Sequence, residues 1–141
     1  MATTRTARTQ WQGSLMEGSG KVALESSGVG TFDVSWPSRS EQPNGRTSPE
    51  ELIAGAHSAC FAMALSHALA QKGSPPQWLE TSAEVDFQPG PGITGIRLNV
   101  RGTVEGLSPD DFRAAAEDAK ANCPVSKALS AVPITLEAQL A

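Results

Sequence analysis

Two thiols, two imidazoles and a few charged side chains near them are the groups in this sequence with chemistry to offer. Cys60 and Cys123 are the only cysteines, and His57 and His67 the only histidines. Cys60 sits in a run with no charged residue between Glu51 and Lys72. A cysteine in such a setting is ordinarily a small, inert hydrophobe whose pKa burial raises. It also lies too deep in its segment for a helix N-terminus to help, because that field fades within the first turn. To react as a thiolate it needs a cation from elsewhere, and Arg39 and Arg46, in the polar stretch ahead, are the candidates. Cys123, between Asn122 and Pro124, falls at or near the N-cap of a short helix, where a thiolate is stabilised and accessible. The competing reading is a small residue that happens to precede a proline. Spacing alone leaves open whether the two sulfurs meet.

His57 precedes Cys60 by three residues, on the same helical face. A Cys–His nucleophilic pair is one reading. Both side chains lean toward the helix N-terminus, so the ring seldom points at the sulfur; a structural histidine bonded to backbone is the default, and His67 reads the same way. Glu50 and Glu51 fall in the first helical turn. Dipole complementarity and a capping box account for Glu51. Glu50 has no such duty and is free to orient an arginine from the preceding loop. A zinc site would need about four ligands. It would consume every cysteine and histidine of the chain, and no C-x-x-C pair is present, so no metal is expected.

The elements that must position these groups read as follows. Thr9–Leu15, Lys21–Ser26 and Thr31–Trp36 are three strands joined by short Gly/Ser turns, with Phe32, Val34 and Trp36 on one face; such links permit only antiparallel hairpins. Pro37–Thr47 is a long polar loop. Ser48-Pro-Glu-Glu51 starts a helix that runs to about Gln71 and stops at Gly73. Apolar or small all round, it is expected to be buried on every side. Gln77–Phe87 and Ile93–Glu105 are strands around a Pro89–Gly92 turn, with Ile96, Leu98 and Val100 inward. Ser108 caps a second long helix to about Ala121, Cys123-Pro124 opens a helical turn through Leu129, and Pro133–Leu140 is a last strand. Strands, helix, strands, helix, strand make an α+β domain, and 141 residues fit a single one.

A net charge of −4 with scattered charges argues against a nucleic-acid binder. No secretory leader is expected, because no apolar run follows the N-terminal arginines. No membrane span is expected either: the one long apolar segment is rich in Ala, Ser and Gly. The cytoplasm is the expected location.

Ser48-Pro-Glu-Glu-Leu-Ile-Ala-Gly-Ala-His-Ser-Ala-Cys-Phe-Ala-Met-Ala-Leu-Ser66, followed far downstream by Asn122-Cys-Pro-Val-Ser-Lys127, resembles the family of osmotically inducible protein C and organic hydroperoxide resistance proteins. The likeness extends from Trp11 to Leu140. His57 and the segment Phe32–Arg39 resemble the osmotically inducible protein C branch. The resemblance implies the OsmC-like fold, antiparallel sheets around a central helix in an intertwined homodimer. It also implies a peroxidase that reduces organic hydroperoxides. Cys60 would attack the peroxide and become a sulfenic acid, and Cys123 would close a disulfide onto it. Arg39, with Arg46 as the substitute, would hold the thiolate, and Glu50 would hold Arg39. A dithiol, in this family a lipoyl group, would reset the pair, with no bound cofactor. The rivals are a Cys–His acyl-transfer enzyme using His57 and a non-enzymatic dimeric module for lipophilic ligands.

Overall fold

The structure, a computed structural model, describes residues 1–141. It divides into two compact units, Met1–Leu52 and Ile53–Ala141.

In the first unit, β1 (Arg8–Gln12), β2 (Ser19–Ala23) and β3 (Thr31–Val34) form an antiparallel meander in that order. The first strand ends earlier than its pattern suggests because the chain turns at Gly13, whose φ of 93° is a left-handed conformation that a side chain disfavours. Trp36 does not continue β3, and the expected loop from Pro37 is partly helical: α1 spans Trp36–Ser40. The cause is local. Ser35 is extended and forms a reciprocal capping box with Ser38, and a proline occupies the first turn. The chain then returns beside β3. Thr47 N–H donates to Asp33 O at 2.9 Å, and Ser38 Oγ donates to Thr47 O at 3.0 Å. This return brings Ser48 to its place as cap, accepting from the Glu51 amide at 3.1 Å. The Glu51 carboxylate meanwhile accepts from the Thr47 hydroxyl at 2.6 Å.

The helix that follows, α2, spans Pro49–Gln71. In the second unit β4 (Trp78–Gln88) pairs antiparallel with β5 (Gly92–Thr103), with a register irregularity at Asp86/Phe87. β6 (Ile134–Leu140) pairs with β5 in parallel, so this sheet is not wholly antiparallel as expected. A parallel neighbour needs a long crossover, which α3 (Pro109–Asn122) and α4 (Pro124–Ala128) supply. Period-two patterning holds on β5, where Ile96, Leu98 and Val100 face inward and are buried.

The core joins α2, β5 and α3 through Phe61, Leu65, Leu69, Leu98, Val100 and Phe112. Each such side chain stabilises the fold by roughly 1.5–3 kcal/mol. Within the chain α2 is not buried on every side. His57, Phe61, Leu65 and Leu69, four residues apart, form one buried stripe. Ala56, Ala59, Met63 and Ala70 face outward, with Met63 72% exposed. One 141-residue chain simply covers one side of an all-apolar helix. By length and composition α2 also meets the measure of a membrane span, contrary to expectation. Alanines lift its average hydropathy, while its large side chains pack as those of a core helix.

Candidate active site

Cys60 and Cys123 come together in the second unit. Cys60 follows the buried stripe of α2 by one residue before Phe61 and is half-buried. Cys123 is placed by its neighbour. Proline disfavours the helical region for the residue before it, and Cys123 accordingly adopts φ −56°, ψ 124° between α3 and α4. Its N–H closes α3 on Ala119 O at 2.8 Å, and its carbonyl accepts the Lys127 amide at 3.0 Å, opening α4. Held from both sides, it is fully buried, where its position in the sequence suggested an accessible thiol. Both cysteines are free, and Cys123 Sγ donates to Cys60 Sγ at 2.9 Å. A disulfide, at about 2.05 Å, lies less than about 1 Å of movement away.

The two thiols titrate as a unit, the first proton leaving early and the second late. Burial pushes the Cys60 thiol above its ordinary range. The hydrogen bond with Cys123 adds to the rise, and the Val125 amide opposes it. For Cys123, burial also acts upward. The Cys60 thiol, the amide and hydroxyl of Ser126 and the Val125 amide together outweigh it and hold this sulfur below the ordinary thiol range. The Cys123 sulfur accepts no side-chain cap bond from the backbone amides of α4; these amides act as nearby dipoles. Cys123 is the donor in the fully protonated pair and the better seat for the charge once one proton has gone. Access differs in the opposite sense, because only Cys60 reaches the surface.

His57 forms no dyad with Cys60. It is fully buried, and its Nε2 lies 2.7 Å from Ser126 Oγ, across 69 residues of sequence. The partner is a hydroxyl where a backbone group was expected. Nδ1 has no partner, and burial lowers the pKa, so the ring is neutral. Neither this contact nor the α4 donors were found from the sequence; Ser126, at the third position of a helix capped by Cys123, was the available signal. His67 is exposed.

The other expected pair forms within the first unit. Arg39, in the last turn of α1, places its guanidinium fork on Glu50 in the first turn of α2. Glu50 is buried although it is charged, which such a fork compensates. Arg39 is also the one charged residue lining an apolar cleft of about 350 Å³ walled by Trp11, Leu15, Val22, Trp36 and Leu52. Arg46 is exposed and acts on Asp33 instead, helping the Lys21 hydrogen bond to lower that carboxyl's pKa.

The α+β fold and the touching cysteines define a dithiol protein. Residues 42–137 match the model of the family described as OsmC-like protein, and the chain belongs to that family. It is 40% identical over 133 residues to "Peroxiredoxin OsmC" of Escherichia coli (strain K12), covering 92% of each chain. It is 33% identical over 123 residues to "Organic hydroperoxide resistance protein OhrA" of Bacillus subtilis (strain 168), covering 84% of this chain and 86% of that one. The solved structure of an organic hydroperoxide resistance protein OsmC from Legionella pneumophila shares the fold with a TM-score of 0.73 at 22% identity, covering 100% of this chain and 98% of that one. The hydroperoxide resistance protein OhrB of Bacillus subtilis does so at 0.66 and 24%, covering 96% and 98%.

Proposed function

We propose that this chain is a thiol-dependent peroxidase that reduces organic hydroperoxides to alcohols, with residues 1–141 acting as one OsmC-like domain. The observation that carries the reading is the contact of Cys60 and Cys123 sulfurs at 2.9 Å. Cys60, the accessible member, is the peroxidatic thiol. It attacks the O–O bond, the alkoxide leaves and takes a proton as alcohol, and Cys60 becomes a sulfenic acid. Cys123 then forms the S–S bond and expels the oxygen as water, and an external dithiol of the lipoyl class reduces the pair. Arg39, oriented by Glu50, is the cation that offsets burial and draws charge onto Cys60; a fixed guanidinium also suits the peroxide oxygens. The apolar cleft that Arg39 lines supports an organic substrate. We propose a homodimer as the working form, since the outward Ala56, Ala59 and Met63 face of α2 calls for cover, and the cytoplasm as its location.

The test is a thiol count. Reduced protein is treated with one equivalent of an organic hydroperoxide. Wild type is expected to lose both thiols together, Cys60→Ser to keep its remaining thiol, and Cys123→Ser to consume peroxide once and stop at a trappable sulfenic acid. Retention of both thiols in the wild type would overturn the reading.

A further inference from the structure

His57 is a titratable group, sealed from solvent in the core, that the reaction above leaves without a task. Its single partner is Ser126 Oγ at 2.7 Å, itself buried. The tautomer follows from what lies around the ring. A neutral imidazole carries one N–H. Nδ1 meets no partner, and a buried N–H left unpaired is rarer and costlier than an unpaired ring lone pair. The proton therefore sits on Nε2 and is donated to Ser126 Oγ. That contact occupies one hydroxyl lone pair and leaves the hydroxyl hydrogen free to be offered elsewhere. Ser126 is the third residue of α4, the position that faces the N-cap residue one turn back. The N-cap is Cys123, equally buried and 2.9 Å from Cys60.

We infer that His57 and Ser126 are positioning residues for the resolving cysteine: imidazole N–H to hydroxyl, hydroxyl O–H to Cys123 sulfur, a fixed donor chain that holds Cys123 as a thiolate aimed at Cys60. The inference rests on the peroxidase reading and concerns its second step alone. In that step the Cys123 thiolate attacks the sulfur of the Cys60 sulfenic acid. The S–S bond forms, the S–O bond breaks, and the departing hydroxide takes the proton that Cys123 had released and leaves as water. The donors named on the Cys123 side, the Ser126 hydroxyl and amide with the Val125 amide, all favour the ionised sulfur. The donor chain does not touch peroxide, and its ring makes no hydrogen bond to Cys60. Its removal slows disulfide closure, and because the two thiols share one charge it does not slow peroxide attack. Because closure competes with a second oxidation of Cys60, the donor chain also sets how much peroxide the protein survives.

Rapid mixing of the reduced full-length protein with a stoichiometric organic hydroperoxide separates the two steps, one read by peroxide loss and the other by disappearance of a sulfenic acid trapped with a dione probe. Ser126→Ala is expected to slow closure roughly tenfold, the rate equivalent of one hydrogen bond to a charged group, with peroxide loss no slower than in wild type. Ser126→Thr, which restores the hydroxyl, is expected to restore closure. In a Cys60→Ser background the ultraviolet absorbance of the thiolate reports Cys123 alone, and Ser126→Ala is expected to move its titration to higher pH. If Ser126→Ala does not fold, His57→Gln, which keeps an N–H donor, against His57→Leu, which has none, carries the same comparison. Closure at the wild-type rate in Ser126→Ala or in His57→Leu overturns the inference while leaving the peroxidase reading intact. A wild type that forms no disulfide overturns the peroxidase reading instead.

Discussion

Arg39 holds Glu50 through three hydrogen bonds: Nε to both carboxylate oxygens at 3.0 and 3.2 Å, and Nη2 to Oε2 at 2.9 Å. The Glu50 side chain is 7% exposed and the Arg39 side chain 32%. Losing the carboxylate removes all three of these hydrogen bonds from a partly buried guanidinium, and solvent at Arg39 softens the loss. Glu50→Ala is expected to cost about 1–3 kcal/mol, below the figure for a fully buried pair, by urea denaturation. The same variant is expected to slow peroxide consumption at least about tenfold, since the arginine loses its fixed orientation. Unchanged kinetics in a destabilised variant would reduce Glu50 to a purely structural role.

The arginines themselves are expected to separate sharply. Arg39→Ala should slow peroxide consumption by roughly two orders of magnitude or more, as the loss of a fixed charge-stabilising donor does. Arg39→Lys should recover little, because an ammonium cannot reproduce the fork. Arg46→Ala should stay within about twofold of wild type, since Arg46 acts at Asp33. A stopped-flow series on the three variants decides; a large effect at Arg46 would move the catalytic role there.

Burial depresses the pKa of His57 from its ordinary 6.5. The unfolded chain therefore takes up a proton that the folded protein refuses. The stability of the neutral, buried ring is present in full above about pH 6.5 and falls away as pH drops from there through the lower folded value. The urea midpoint of the wild type should thus decline between about pH 7.5 and pH 5.5, and that of His57→Gln should lack this part of the decline. Parallel curves would show that His57 does not carry it.

Met63 stands 72% exposed on the outward face of α2. Placing a charge there should not disturb the buried stripe of His57, Phe61, Leu65 and Leu69. Met63→Glu is expected to shift the protein from dimer toward monomer in sedimentation or light scattering, with its helical circular dichroism preserved. A wild type that is monomeric at working concentrations would remove the dimer from the account.

Local signals in the sequence determined most of the elements. The Ser48 cap, the Ser108 cap, the alternation of β5 and the break imposed by Pro124 are each written in adjacent residues, and the structure forms each of them. α1 escaped because its cap, Ser35, falls inside the alternating run that reads as strand, and Ser38 in a stretch whose prolines and charges read as loop. The parallel seat of β6 escaped because a strand's pattern does not state which way its neighbour runs. The buried and exposed faces of α2 could not be told apart, since nearly every position on it is small or apolar. Tertiary structure alone decided the contacts that bear on chemistry: Cys60 against Cys123, and His57 against Ser126. Each joins a residue of α2 to one more than sixty positions later in the chain. Residue type can propose a thiol or an imidazole, but distance between atoms so far apart in sequence is fixed only when the core between them is packed.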